Sequence, residues 1–453
     1  MNNILDINTI QKDSEIQALI LKIKNTQLLG LIILQALRLA FVLAVKIVEA
    51  ELTERAKEPT DWPNCPNCGK QLNSKGFKDR QITSIIGEIR WKRRVGRCPD
   101  RCHIGQIAPL DKELGLSPYQ SSSIELCQIA CLLAVFMPYE TVSIIFRRLF
   151  PIKVSAFAVW SWVQEYGQLA ISNLNRELDD LAQGISPQVE HMSEAIAQMS
   201  LIIGADGVHV PFRPNGGSPA GKTSWQEVKV GILARLGQRI KRNGETVSIL
   251  IRRRLVAICG SIDLLKPRLW LEALRQNVLE AEQVVWVSDG GRGFWGLFAS
   301  YFESFSIGIL DFYHAAQNLW KAAAALYDGR TRQARQWFSR ARHQLRHGDI
   351  NQILLNISRF TLTELSDKTR RILENLYEYL YTHRDHVRYS TYKDEMGLPI
   401  GSGIVESACK WLIQQRFKGV GMRWSKDGFH NLLHLRLAWV NGRFDEIFFP
   451  SYV

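Results

Sequence analysis

The sequence predicts a multidomain α/β protein: a helical start, a small metal-bound β unit, more helices, and a mixed-sheet core interrupted by a helical insertion. Three observations predict it. The chain has 453 residues, more than one ordinary domain holds, with apolar residues at 46%. Two cysteine pairs bracket segments of alternating polarity between residues 62 and 108. From residue 200 onward, short apolar runs ending in acids alternate with helical stretches. Wholesale disorder is excluded by the apolar content. The formal charge of +13 points to a polyanion, with nucleic acid first and an anionic membrane surface second.

Residues 1–60 read as a helical segment suited to self-association. The stretch Leu28–Val45 is strongly apolar, but Gln35 and Arg38 interrupt it and Lys22 and Lys46 flank it. A membrane span needs about 20 apolar residues with few or no charges. A long buried or self-associating helix is preferred here, and no membrane partner is expected. The first residues lack a basic region and cleavage site, so a reducing cytosolic compartment is the expected location.

Residues 61–110 carry Cys65-Pro66-Asn67-Cys68 and Cys98-Pro99-Asp100-Arg101-Cys102, with strand-like segments between the pairs. Four thiolates on two tight turns suit tetrahedral Zn2+, and the intervening strands make the unit a zinc ribbon. Four cysteines leave no open coordination position, so the role is structural. His103 stands beside the last of them. The basic strand with Arg90, Lys92, Arg93, Arg94 and Arg97 faces either phosphates or solvent.

Residues 111–190 read as helical. Glu140–Leu149, a turn through Pro151, and Ala156–Gly167 fit a helix-turn-helix, with Ser155 as cap. On that reading Lys153, Ser155 and Trp160 face a DNA duplex, although a plain helical hairpin with Trp160 in the core has the same pattern.

Residues 198–314 hold the strands of the core. Leu201–Asp206 ends in an acid; Val228–Leu236 and Ile249–Ile258 form an antiparallel pair; a helix follows at about 263–280. Val284–Ser288 ends in Asp289, Gly290–Phe302 is helical, and Ser306–Leu310 ends in Asp311. That order fits an RNase H-like sheet, in which the first and fourth strands are neighbours and Asp206 and Asp289 converge. Residues 315–395 are helical, with Arg330, Arg332, Arg335, Arg340, Arg342 and Arg346, and 396–453 close the core with Glu406 in the first turn of a helix. Paired carboxylates are what phosphodiester chemistry needs. Two Mg2+ ions activate a water or 3'-hydroxyl and stabilise the departing oxygen, and hard cations take oxygen ligands.

Four segments carry a resemblance: Gly204-Ala205-Asp206-Gly207, Val287-Ser288-Asp289-Gly290-Gly291, Asp311-Phe312-Tyr313-His314 and Gly401-Ser402-Gly403-Ile404-Val405-Glu406-Ser407. In this order they resemble the insertion-sequence transposases of the Mutator-like DDE group, and more narrowly its bacterial Kra-type branch with an N-terminal zinc ribbon. The likeness spans roughly residues 60–445. It implies a catalytic triad of Asp206, Asp289 and Glu406 holding Mg2+ or Mn2+. It makes Asp311 and His314 a supporting pair, against a rival assignment with Asp311 as second acid. It implies metal-dependent strand cleavage and transfer at the terminal inverted repeats of double-stranded DNA, by a homo-oligomer of at least two copies. Lys410, four positions after Glu406, reaches either a phosphate or Glu406 itself. Arg416, Lys418, Arg423 and Trp424 follow as candidate DNA contacts. The other reading is a non-catalytic, domesticated DNA-binding protein made of the ribbon and the helix-turn-helix. The long interval from Asp289 to Glu406 demands that the helical insertion be real, and the segment before Asp61 matches no motif.

Overall fold

The computed structural model describes residues 13–214, 221–361 and 364–449. It divides into two compact units: the described residues up to Val163 with Phe448 and Phe449, and those within Gln164–Ile447.

The first unit opens with helices α1 (Ser14–Lys24) and α2 (Leu29–Lys57). Asp13 caps α1 by accepting from the Glu15 and Ile16 amides, and its other oxygen meets Lys46 of α2 at 2.6 Å. Of the two readings of this helix, buried or self-associating, the first is not met within the chain. None of the residues in its most apolar stretch is buried, and Leu28, Leu29 and Ile33 are each more than half exposed. The C-terminal half packs, through Val48 and Leu52, against strands β1 (Asn73–Ser84) and β2 (Gly87–Arg97), and Phe41 further up the helix meets the Phe150 ring. By length and composition α2 is long and apolar enough to cross a membrane.

β1 and β2 form an antiparallel ribbon, with Ile82, Ile89 and Trp91 turned inward. Several cations of the basic strand, read as facing either phosphates or solvent, are engaged within the unit. Arg93 bonds both Asp111 oxygens at 3.2 Å, Arg90 pairs with Glu88, and Arg94 lies over the Phe77 ring. Lys92 and Arg97 are left exposed.

Helices α3 (Ile124–Phe136), α4 (Tyr139–Leu149) and α5 (Ala156–Ala182) follow. Ser155 caps α5 by accepting from the Ala158 amide, and Ser143 of α4 bonds the Val154 carbonyl across the turn. α5 runs on past the Gly167 end expected for it, as far as Ala182. Gly167 is no terminator. A Cβ there would lie 2.5 Å from Asn431 Cβ and 2.6 Å from the Asn431 backbone, so its missing side chain serves close helix packing.

The second unit is built on a five-stranded mixed sheet, β3 (Leu201–Phe212), β4 (Ser224–Ile240), β5 (Thr246–Cys259), β6 (Val284–Ser288) and β7 (Ser306–Leu310), in the order β5-β4-β3-β6-β7. β3, β4 and β5 are antiparallel; β3, β6 and β7 are parallel. The expected adjacency of first and fourth strands is present. Asp206 does not end its strand, however. The apolar alternation continues through Val208, Val210 and Phe212, and β4 is long enough to pair with all of it. β6 and β7 are apolar apart from Ser288 and Ser306, and β6 is buried along its whole length.

Helix α6 (Ile262–Arg275) packs Leu269 onto Gly231 on one face of the sheet. On the other, helix α12 (Gly403–Ala408) brings Val405 to Gly204. Helix α7 (Arg292–Tyr301) connects β6 to β7. Between β7 and α12 come helices α8 (Phe312–Tyr327), α9 (Arg332–Arg346), α10 (Ile350–Thr361) and α11 (Asp367–Thr382), as the insertion requires. Helix α13 (Lys426–Val440) completes the unit. The side-chain amide of Asn441 bonds both N and O of Leu255 at 2.9 Å, covering part of the outer edge of β5.

A buried ion network ties the far end of this unit. Glu190 bonds Arg254 at 2.6 Å, Arg252 at 3.2 Å, and Arg443, which also meets Glu272. Burial alone would raise the Glu190 carboxyl, but Arg254, Gln276 and Arg443 outweigh it and hold it at about 2, below the ordinary 4.5. A depressed carboxyl stabilises the fold above its unfolded value and loses that contribution as pH falls through the folded one. Glu190→Gln is therefore expected to cost about 3 kcal/mol at neutral pH, measured by urea denaturation, and the difference from wild type should shrink between about pH 4.5 and 2. Equal stabilities at pH 7 would remove the network from the fold's support.

Candidate metal centres

The register of the three parallel strands builds the first centre. Ala205, Ser288 and Leu310 lie in one row across β3, β6 and β7. The next residue in each case is an acid: Asp206 within β3, and Asp289 and Asp311 one position past the ends of β6 and β7. Strand neighbours are about 4.8 Å apart. Side chains alternate, so these acids share a face with Gly204, the face on which Val405 packs. α12 thus delivers Glu406 to the same face as the row of aspartates.

Each acid is held differently. Asp206 is half-buried and bonds the Gly207 amide at 2.7 Å. Its pKa is raised, first by burial and then by repulsion from Asp289 and Glu406, while His314 works the other way. Asp289 sits on a turn fixed from three sides. Its Oδ1 accepts from the Gly291 amide at 3.0 Å, its carbonyl accepts from the Trp295 indole at 2.6 Å, and Tyr379 of α11 lies flush on Gly290. A Cβ at Gly290 would overlap the Tyr379 ring, so only glycine fits. Glu406 is half-buried at the start of α12, as expected.

Asp311 is 1% exposed and fully engaged. It caps α8 by accepting from the His314 amide at 2.8 Å. Its other oxygen accepts from the Ser402 amide at 2.5 Å and from the Ser402 hydroxyl, and lies 3.3 Å from His314 Nδ1. Burial would raise its pKa, but His314 and Ser402 hold it at about 2. These bonds join the end of β7, the start of α8 and the loop before α12. Asp311 has little lone-pair capacity left for an ion, which sets it apart from the other two aspartates. Ligand atoms of Asp311, His314 and Glu406 all lie within 4.8 Å of one another.

Lys410 is exposed and forms no ion pair with Glu406 among the described residues; a π-turn, Cys409–Gln414, begins just before it. Arg416 is 3% exposed, its guanidinium 5.3 Å from the Trp424 ring, so burial removes it from the residues expected to meet phosphate. Trp424 is half-buried and spends its indole N–H on the Phe417 carbonyl. Lys418 is exposed above Trp225, and Arg423 is half-buried, 3.4 Å from the Gly221 carbonyl. On α9, Arg332, Arg335, Arg340 and Arg342 are exposed; Arg342 lies over the Phe312 ring, next to Asp311. Arg330 and Arg346 are paired with Asp328 and Asp394.

Sequence reasoning passed over Ser402, Trp295 and Tyr379 as parts of the site. Ser402 is far along the chain from its partner Asp311, so no local pattern marks it. Gly290 beside Asp289 was the one signal for Tyr379.

The second centre lies in the ribbon of the first unit. Ligand atoms of Cys65, Cys68, Cys98 and Cys102 all fall within 4.8 Å of one another, and Cys68 and Cys98 Sγ are 3.4 Å apart. Tetrahedral zinc with bonds of about 2.3 Å places thiolates about 3.8 Å apart, so the cysteines fit one ion. Gly69, at φ 74°, shapes the first turn, and its amide bonds the Cys65 carbonyl. Burial raises the Cys98 thiol, but the Cys102 amide and the Cys68 side chain bring it to about 7. His103 joins no metal-sized cluster among the described residues.

On the helix-turn-helix, Lys153 and Ser155 are exposed, and so are Phe157 and Trp160, whose rings are 5.4 Å apart. Trp160 is not a core residue; Val159 and Val163 fill that place.

No family model matches this chain, and no curated protein matches it. Among solved structures, it is similar to one described as "Drosophila P element transposase strand transfer complex", at 12% identity. The alignment covers 75% of this chain and 96% of that chain, with a TM-score of 0.28.

Proposed function

We propose that this protein is a DDE transposase that cleaves and joins DNA at the terminal inverted repeats of an insertion sequence. The observation that carries the reading is the row of acids one position past a registered strand row, with Glu406 brought onto the same face. Asp206, Asp289 and Glu406 would hold Mg2+ or Mn2+, which supply Lewis acidity and a nucleophilic oxygen at neutral pH. The strand order supports an RNase H-like core, and the four motif segments support the Mutator-like group and its Kra-type branch. Asp311 is the positioning residue that locks the Glu406 loop to β7.

The basic surfaces support duplex DNA as substrate: Arg332, Arg335, Arg340 and Arg342 on α9, Lys418, and Lys153 with Phe157 and Trp160 at the helix-turn-helix. Zinc in the ribbon is structural. Two DNA ends must be held at once, so the working form is at least a dimer, and the exposed apolar face of α2 is available for self-association. A bacterial cytoplasm, at the nucleoid, is the proposed location.

The test is incubation of the purified protein with DNA carrying the inverted repeats that flank its reading frame. Nicks at the repeat ends that require Mg2+ or Mn2+ are expected. Specific binding with no cleavage in either ion would leave the non-catalytic DNA-binding reading instead.

A further inference from the structure

We propose that Trp295 is the positioning residue for Asp289: its indole, held by the end of the helical insertion, fixes the peptide that carries this acid and so sets how tightly the carboxylate site holds a divalent ion. The inference rests on the divalent-ion reading given above. It starts from what the sheet does for each aspartate. Asp206 lies inside β3, opposite Val230 of β4, so the ladder fixes its main chain. Asp311 caps α8 and is bound to Ser402. Asp289 stands one position past Ser288, the last paired residue of β6. Its main-chain carbonyl accepts from the Trp295 indole N–H instead, at 2.6 Å. The peptide is planar, so that bond orients the whole Asp289–Gly290 unit and with it the direction in which the carboxylate leaves the turn.

The indole is itself anchored. Trp295 is 9% exposed, near the start of α7, with its ring 4.7 Å from that of His383 and 4.4 Å from that of His386. His383 caps α11, and His386 lies in the short turn after it. His386 Nδ1 donates to the Gly308 carbonyl of β7 at 3.1 Å. A Cβ at Gly308 would fall 2.9 Å from that nitrogen, just as one at Gly290 would overlap the Tyr379 ring. Two glycines thus admit α11 and the turn beyond it to the end of the sheet. Contacts run without a gap from β7 through His386 and Trp295 to Asp289. A tryptophan that only filled the core would need no partner for its N–H at the metal turn.

The test is Mn2+ titration and thermal melting of the full chain as wild type, Trp295→Phe, Asp206→Asn and Phe302→Leu. Phenylalanine keeps an aromatic ring beside the two histidines and removes the N–H. Trp295→Phe should bind Mn2+ about tenfold more weakly, the low end of what losing an outer partner of a metal ligand costs. Phe302→Leu, in the same core but stacked on Trp286, should melt earlier and bind Mn2+ like wild type. Wild-type affinity in Trp295→Phe, with affinity lowered in Asp206→Asn, would overturn the inference and leave the carboxylate site standing. An equal loss in Phe302→Leu would also overturn it, because general loosening would then explain both. Wild type that binds no Mn2+ at millimolar concentration, or binds Mn2+ that neither Trp295→Phe nor Asp206→Asn weakens, would overturn the divalent-ion reading as well. Should Trp295→Phe fail to fold, His386→Phe decides. It keeps a ring beside the indole, loses the bond to Gly308 and should also weaken Mn2+ binding; unchanged affinity would overturn the inference.

Discussion

Asp289→Asn is expected to lower Mg2+-dependent nicking at least about a thousandfold while leaving the thermal melting point nearly unchanged. An ion at a developing charge contributes several kcal/mol, and a tenfold change in rate corresponds to about 1.4 kcal/mol. The amide keeps the shape of the side chain, and its oxygen can still accept from the Gly291 amide as Asp289 Oδ1 does. The Trp295 bond goes to the main-chain carbonyl, and the packing of Tyr379 goes to Gly290, so neither depends on the charge. Asp206→Asn should behave the same way. Asp311→Asn should not. Its side chain is buried, accepts the Ser402 amide and hydroxyl, and lies beside His314 Nδ1. An amide offers one acceptor where three donors converge, so buried donors are orphaned at about 1–3 kcal/mol each. Asp311→Asn should therefore melt at lower temperature before any effect on chemistry is read. Nicking rates and denaturation curves for the three variants distinguish the two assignments. Full cleavage by Asp289→Asn would sink the triad proposed here, and a stable Asp311→Asn that loses only metal binding would favour Asp311 as the second acid.

How far the sequence disclosed this site depended on whether the determining contact was local. β6 and β7 are short apolar runs that each end in an acid, and they could be read from composition alone. β3 was read too short, because the acid after the apolar run Leu201–Ala205 reads as the strand end. The Glu227 side chain lies against Gly207, a cross-strand contact. Gly167 gave the same error in a helix, since its reason for lacking a side chain is Asn431, hundreds of positions away. Arg416 and Trp424 were assigned outward from charge and amphipathic character, whereas they pack on each other. For α2, an apolar run could be read equally as buried or self-associating, and within the chain its most apolar stretch is not buried. The cysteine spacing succeeded because two tight turns fix thiolate positions within a short stretch of chain.

Removing one thiolate from the ribbon is expected to have the largest structural effect of any single change. Cys98→Ser should lower bound zinc from one ion per chain to near zero and unfold residues 62–107. The core at the cysteines is small: Cys65, Leu72 and Cys98, with Trp62, Cys102, Ile104 and Ile107 against them, while Ile82, Ile89 and Trp91 pack separately with Leu52. Trp62 lies on Gly96 so closely that a Cβ would overlap its ring, so even this packing presumes the two turns in place. Structural zinc binding is worth about 10–16 kcal/mol in small peptides at neutral pH, more than so few apolar contacts supply. Metal analysis, with limited proteolysis within 62–107, checks the expectation, and a chelator should reproduce the variant. The five-stranded sheet belongs to the other compact unit, so Mn2+ binding that depends on Asp206 should survive in the same sample. Cys98→Ser protein that retains full zinc and resists protease like wild type would show that the four cysteines do not share an ion. Loss of Mn2+ binding along with zinc would show instead that the sheet cannot stand without the ribbon.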